Sequence, residues 1–170
     1  MLFRSHAGAG HPWVTIQARA AIPLTAPLSS GYTITRTLTP VDARKAAAWS
    51  RGDIVRVRLE IEAQSDMTWV VVSDPIPAGA SHLGGGLGGQ SRIALAGQTR
   101  SDCPCIAFEE RGFDGVRAYY PYVRKGTWVY EYTIRLNQGG RFEMPSTRVE
   151  ALYAPEAFGE IPNAPFEVQP

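Results

Sequence analysis

Ile54-Val55-Arg56-Val57-Arg58-Leu59-Glu60-Ile61-Glu62-Ala63 alternates apolar and charged side chains without a break from Val55 onward. Successive side chains of a strand point to opposite faces, so Val55, Val57, Leu59 and Ile61 share one face and Arg56, Arg58, Glu60 and Glu62 the other. The stretch reads as a half-buried β-strand with one face on a core and one in water. Arg51-Gly52-Asp53 stands just before it and reads as the turn that opens the strand rather than as an adhesive tripeptide.

Working outward, Tyr32 to Thr39 sets four threonines against Tyr32, Ile34, Arg36 and Leu38, a second period-2 strand with β-formers on both faces. Val41 to Trp49 has helical propensity, enough for one turn of helix or a loose connection. On the other side, Ser65-Asp66-Met67 turns the chain into Thr68-Trp69-Val70-Val71-Val72-Ser73, an apolar run of the kind buried on both faces. Asp74-Pro75-Ile76-Pro77-Ala78-Gly79 stops it, and the whole predicts a hairpin. Gly115 to Val123 resumes as strand, and Lys125-Gly126 turns into Thr127 to Leu136, where Trp128, Tyr130, Tyr132, Ile134 and Leu136 share a face. A buried tyrosine needs a partner for its hydroxyl, which predicts the tips of Tyr130 and Tyr132 at the rim of the fold. Arg141 to Met144, Thr147 to Tyr153 and Pro165 to Gln169 complete the strands, with a turn at Pro145-Ser146 and an outward corner at Tyr153-Ala154-Pro155-Glu156.

Short strands, frequent turns and almost no helical period predict an all-β fold, an antiparallel β-sandwich of immunoglobulin or fibronectin type with long loops. The 170 residues suit one domain, and 17 Gly with 13 Pro match the many turns. Trp13 to Leu24 reads as an extended segment that Pro23 and Pro27 bar from central pairing. Residues 92–111 are weakly patterned long loop, with one strand expected near Ile106-Ala107-Phe108.

Several functions are disfavoured by the same residues. A formal charge of +1 with scattered cations gives no footprint for nucleic acid or an anionic membrane. No stretch approaches the ~20 apolar residues of a membrane span, and the first twelve residues lack a signal peptide's apolar run. Ser81 to Ser91 contains a Gly-x-Gly-x-x-Gly register, but no helix follows it, so it reads as a flexible loop rather than a phosphate cradle. Cys103-Pro104-Cys105 reads as two thiols or a minor bridge in a loop, because a zinc site needs about four ligands and His6, His11 and His82 lack the spacing to supply them. No serine sits in a Gly-x-Ser-x-Gly elbow, and Glu109-Glu110 and Glu60 with Glu62 read as surface charge. The chain is expected to be no enzyme and to need no cofactor.

An ordered series remains: Gly52 to Val57, Val71-Val-Ser-Asp-Pro-Ile-Pro-Ala-Gly79, Phe142-Glu-Met-Pro145 and Val149-Glu-Ala-Leu-Tyr-Ala-Pro-Glu156. Together it resembles the terminal macroglobulin-like domain of the bacterial alpha-2-macroglobulins, large thioester protease inhibitors of the periplasm. Gly8 to Gly10, Pro12 to Gln17 and Ala20 to Leu24 resemble that family's run-in from the thioester-bearing region. The resemblance implies a lead-in over residues 1–28 and a macroglobulin-like sandwich over 29–170. It also implies a non-catalytic, C-terminal module that docks on the thioester domain of the same chain and meets target proteases only indirectly. The location implied is periplasmic, with membrane contact only through a lipid anchor upstream. The thioester motif Cys-x-Glu-Gln is absent, and Cys103-Pro104-Cys105-Ile106 departs from it. By position, Tyr153 matches the family's thioester-shielding tyrosine, with Leu152, Pro155 and Glu156 as interdomain contacts. The alternative is a free-standing adhesion or carbohydrate-binding sandwich that uses Tyr119, Tyr120 and Tyr122 as a stacking platform.

Overall fold

The computed structural model describes residues 16–17, 23–45, 48–84 and 104–170. Most of the expected lead-in over 1–28, the glycine run beyond Gly84 and Cys103 lie outside the described residues. Thirteen strands are present among the described residues: β1 (Leu28–Ser30), β2 (Tyr32–Asp42), β3 (Trp49–Ser50), β4 (Ile54–Ala63), β5 (Met67–Pro75), β6 (Ala80–Leu83), β7 (Phe108–Arg111), β8 (Gly115–Val123), β9 (Gly126–Leu136), β10 (Gly140–Phe142), β11 (Thr147–Ala151), β12 (Ala154–Ile161) and β13 (Phe166–Gln169). They form a six-stranded sheet in the order β1-β12-β11-β5-β8-β7 and a four-stranded sheet in the order β2-β4-β9-β6, with a small third sheet β10-β13-β3. Both large sheets are antiparallel, and the fold is the all-β sandwich that the alternation predicts. The exception is β13 on β3, which pair in parallel.

The decisive stretch is β4, between β2 and β9 at the centre of its sheet. Its Val55, Val57, Leu59 and Ile61 are fully buried. They pack with Trp128, Tyr132, Ile134 and Leu136 of β9 and with Val70, Val72, Val116, Ala118, Tyr120 and Val149 of the opposite sheet. Each fully buried aliphatic side chain contributes about 1.5–3 kcal/mol, so this interlayer supplies the main driving force. Gly31 carries the chain from β1 in one sheet to β2 in the other at φ +99°, a conformation an L side chain rarely adopts. Where β12 crosses that corner, a Cβ on Gly159 would stand 2.6 Å from the carbonyl oxygen of Tyr32, so only glycine fits.

Polar groups fix how the two layers sit. Asp74 lies in β5, 1 % exposed, and points into the core. Arg36 Nε of β2 donates to both its oxygens, at 3.0 and 3.1 Å. The Tyr132 hydroxyl of β9 donates to Oδ2 and the Thr147 hydroxyl of β11 to Oδ1. Thr147 in turn accepts from Asn163 Nδ2 at 2.9 Å. One carboxylate thus ties four strands of both sheets together. Burial alone would lower the Arg36 pKa, but the Asp74 charge and hydrogen bonds raise it above the ordinary arginine value.

Several expectations are corrected by these contacts. The tips of Tyr130 and Tyr132 are not at the rim: both residues are buried, and the interior carboxylate of Asp74 gives the Tyr132 hydroxyl its partner. Asp74 is therefore the inward end of β5 rather than the start of a turn. Val41 and Asp42 extend β2 instead of opening a helix. Arg51-Gly52-Asp53 is the predicted turn, but Asp53 is 2 % exposed and accepts from the Ser50 N–H at 2.8 Å and the Arg44 N–H at 3.1 Å, which shapes the connection after β2. Ser81 to Leu83, read as the start of the glycine loop, instead belong to the edge strand Ala80–Leu83 that pairs with β9. The strand expected at Ile106 begins two residues later, at Phe108.

Two outcomes follow from this core. Asp74→Ala leaves the Arg36 guanidinium buried and unpaired and should lower the unfolding free energy by about 3–5 kcal/mol, whereas Tyr132→Phe, which removes one bond to a charged acceptor, should cost about 1.5–3 kcal/mol; urea denaturation of both variants measures the difference. The second concerns alkaline pH. Burial pushes the Tyr32 hydroxyl up to about 12 and raises Tyr132 well above its ordinary value. The folded chain keeps these protons while the unfolded chain releases them near its ordinary tyrosine value of about 10, so stability is full below that pH and falls as pH rises from about 10 towards 12. Denaturation midpoints measured from pH 8 to 11.5 should drop in that window, and Tyr32→Phe should flatten the drop.

Candidate functional site

Ala151 of β11 pairs directly with Ala154 of β12, so Leu152 and Tyr153 alone form the tip of this hairpin. Two-residue tips favour turns with positive φ, which match the twist of the flanking strands and call for glycine or asparagine. Neither residue is of that kind, and neither has a positive φ. The ladder absorbs the mismatch. Glu150 lies opposite Phe158 while Ala151 lies opposite Ala154, which leaves residues 155–157 as extra length on β12. Pro155, with no N–H to give, sits in that bulge.

The result is a projecting corner. Tyr153 is 77 % exposed and Leu152 44 %, and Pro155 and Glu156 are exposed beside them. The Leu152 N–H donates to the Trp69 carbonyl oxygen at 2.8 Å, which ties the tip to β5. Strand β12 is held from its other side, where Ser30 Oγ donates to the Glu156 carbonyl oxygen at 2.7 Å. The four residues expected as contacts therefore lie on one braced hairpin.

Sequence reasoning missed a fifth residue. Trp69 reads as part of a run buried on both faces, and Val70, Val71 and Val72 are indeed buried, but Trp69 is 43 % exposed. It is also the non-glycine residue with a positive φ, 50°, among the described residues. Such a backbone in a bulky residue is disfavoured by about 1–3 kcal/mol. Its neighbours Thr68 and Val70 pair with Tyr122 and Tyr120, which places Trp69 opposite Pro121. A proline offers no N–H, so the ladder is open there and the Trp69 backbone is free to turn. Nothing in the local run signals this, because the proline that opens the ladder is some fifty residues away in sequence, on β8.

The surroundings of the tip are ordered by short-range polar contacts. Asp66, in the turn before β5, accepts from the Lys125 N–H at 2.8 Å and from the Tyr122 hydroxyl. These bonds hold its carboxyl below the usual range. An open groove of about 500 Å³ runs alongside, lined by Pro121, Tyr122, Arg124, Lys125, Trp128 and Cys105, whose thiol is free and exposed. On the adjoining strands Arg148 pairs with Glu150 at 2.8 Å and with Glu160 at 2.9 Å, and lies 4.7 Å above the Phe158 ring.

Other polar groups have structural tasks. Both Asp74 oxygens are taken by Arg36, Tyr132 and Thr147, which leaves no position for a reacting group. His82 Nε2 lies 3.2 Å from the carbonyl oxygens of both Gly112 and Gly115, and burial lowers its pKa and keeps the ring neutral, so it donates from Nε2 and links β6 to the β7–β8 turn. Among the described residues, no group of three or more His, Cys, Asp or Glu is placed to hold a metal ion. The stacking platform of Tyr119, Tyr120 and Tyr122 does not form: Tyr120 is fully buried against Trp128, ring centroids 5.9 Å apart, because consecutive strand residues face opposite ways.

Comparison with known proteins agrees with this geometry. The chain is 28 % identical over 142 residues to an alpha-2-macroglobulin homolog from Nostoc sp., covering 76 % of this chain and 7 % of that protein. Native Escherichia coli alpha-2-macroglobulin, solved from domain MG7 to the C-terminus, superposes with a TM-score of 0.70 at 19 % identity over 87 % of this chain and 25 % of that one. The elastase-activated E. coli protein gives 0.71 at 21 % identity over 86 % of this chain and 14 % of that one. Salmonella alpha-2-macroglobulin reacted with methylamine gives 0.69 at 23 %, over 86 % and 10 %. Residues 31–156 match the family model of the bacterial alpha-2-macroglobulin MG10 domain, and the chain belongs to that family.

Proposed function

We propose that this chain is the C-terminal, non-catalytic module of a longer periplasmic protease inhibitor, where it docks on the thioester domain of the same chain and shields the thioester until activation. The lead-in of residues 1–28 joins it to that domain, and residues 29–170 form the shielding sandwich. The observation that carries this reading is the braced tip, which holds Tyr153 outward, 77 % exposed. The family relation and the small share of the Nostoc relative that the chain spans support a role inside a larger protein. Proteins of this fold have been solved after activation by a protease and after reaction with methylamine, a small amine nucleophile. Such an amine attacks an acyl electrophile, the chemistry that a shield has to control.

The physical demand is exclusion of water. A thioester persists only where water and amines are kept away, and an aromatic ring on a rigid support is a compact lid whose hydroxyl can hydrogen-bond its target. Leu152 and Pro155 add apolar area around the ring, and Glu156 supplies a charge at the rim of the contact. Proteases meet the module indirectly, through the rearrangement that removes the lid.

In the full-length inhibitor, Tyr153→Ala should speed thioester loss to water and to methylamine by about tenfold for every 1.4 kcal/mol of shielding removed. Release of the free thiol, followed with a thiol reagent, reports the rate. The variant should unfold at the wild-type temperature, since its side chain is outside the core. An unchanged rate would refute the shielding role.

A further inference from the structure

The left-handed backbone at Trp69 is held by a residue poorly suited to it. Glycine would adopt φ 50° at no steric penalty, yet the position holds the largest side chain available, and that side chain is left 43 % exposed. The pairing of β5 with β11 sets it next to Leu152, whose N–H it accepts at 2.8 Å. Trp69, Leu152 and Tyr153 are thus three exposed large apolar residues from two adjacent strands at one end of one sheet. Nearby, Arg148 of β11 pairs with Glu150 and Glu160, and Asp66 accepts from the Lys125 main-chain N–H and the Tyr122 hydroxyl.

We propose that Trp69 is a second aromatic contact to the thioester-bearing domain, held outward beside Tyr153 by its left-handed backbone. The inference rests on the docking role assigned to the hairpin tip. The occupant is a domain of the same long chain, because Trp69 is hydrogen-bonded through its main chain to the tip that carries Tyr153 and because the matched relative is many times longer than this chain. Trp69 also positions the tip itself, because its carbonyl oxygen anchors the Leu152 N–H. A tryptophan brings a large rigid contact area at small cost in side-chain freedom, the property that makes it common at the centre of interfaces.

The test separates this contact from a merely structural role and from the lid itself. Trp69→Gly, Trp69→Phe and Tyr153→Ala are made in the full-length inhibitor, and the rate of methylamine-triggered thiol release is measured for each; the thermal unfolding of the 170-residue chain is measured with the same substitutions. Trp69→Gly relieves the backbone while deleting the indole, so the unfolding temperature should hold or rise while thiol release accelerates at least fivefold, and Trp69→Phe should stay within about twofold of wild type. Acceleration by Trp69→Gly with no effect of Tyr153→Ala would keep Trp69 as a docking contact and remove the lid reading. If Tyr153→Ala accelerates release but Trp69→Gly leaves it at the wild-type rate, the lid stands and the proposal for Trp69 is overturned. A fall in unfolding temperature for Trp69→Gly, with Trp69→Phe equally impaired in both assays, also overturns it, since the residue would then be part of the fold.

Discussion

The carboxylate of Asp74 is the constraint on which the rest of the structure depends. It enters the core from β5, is held by Arg36 and Tyr132 of the facing sheet, and takes the Thr147 hydroxyl from the adjacent β11. A buried ion pair is not in itself a strong source of stability, because the desolvation of both charges opposes their attraction. Its effect here is geometric. Apolar contact is non-directional, whereas a carboxylate that takes four hydrogen bonds from three donor groups is satisfied in one arrangement only. The network therefore fixes β5 against β11 and both against the four-stranded sheet.

That register is what aims the tip. With Arg148 opposite Ser73 and Ala151 opposite Val70, Leu152 arrives beside Trp69 and its N–H finds the Trp69 carbonyl. A slip of one residue would turn Thr147, Val149 and Ala151 outward and carry the tip away from Trp69. The path from core to surface is short: a buried acid sets a strand pair, the pair sets a hairpin, and the hairpin presents a ring.

The sequence was informative where a side chain's role follows from its own strand. The alternation of β4 could be read directly, because burial of one face imposes period 2. The period also set Arg36 on the apolar face of β2, an oddity that the fold resolves with Asp74; the partner was hidden because Asp-Pro reads locally as a turn. Tyr132 was misjudged for the same reason, since its hydroxyl partner lies on another sheet. Trp69 depends on Pro121, a proline on a different strand that opens the ladder opposite it. Each of these cases needs two segments distant in sequence, and single-strand periodicity carries no information about which strands become neighbours. The tip was visible as a corner because Tyr-Ala-Pro-Glu is local, and its exact turn, at Leu152-Tyr153, was displaced by the bulge that Pro155 imposes.

A lid that must later open faces two opposing demands, and the build of this hairpin meets both on the proposed reading. It has to exclude water, which favours large rigid apolar groups in a fixed place, and it has to let go, which limits how much area it buries. A long mobile loop would meet the second demand but lose conformational entropy each time it closed. A two-residue tip anchored on β5 by one main-chain hydrogen bond has little freedom left to lose. The side chains the tip itself presents are few, fewer than the about 20–30 residues a side of a standard stable complex. Within a single chain that is enough, because a tethered domain meets its partner at an effective concentration of order millimolar. A weak, preorganised contact can then be nearly always closed before activation. It can also be lost outright once rearrangement moves the tethered domain away, with no strong interface to break.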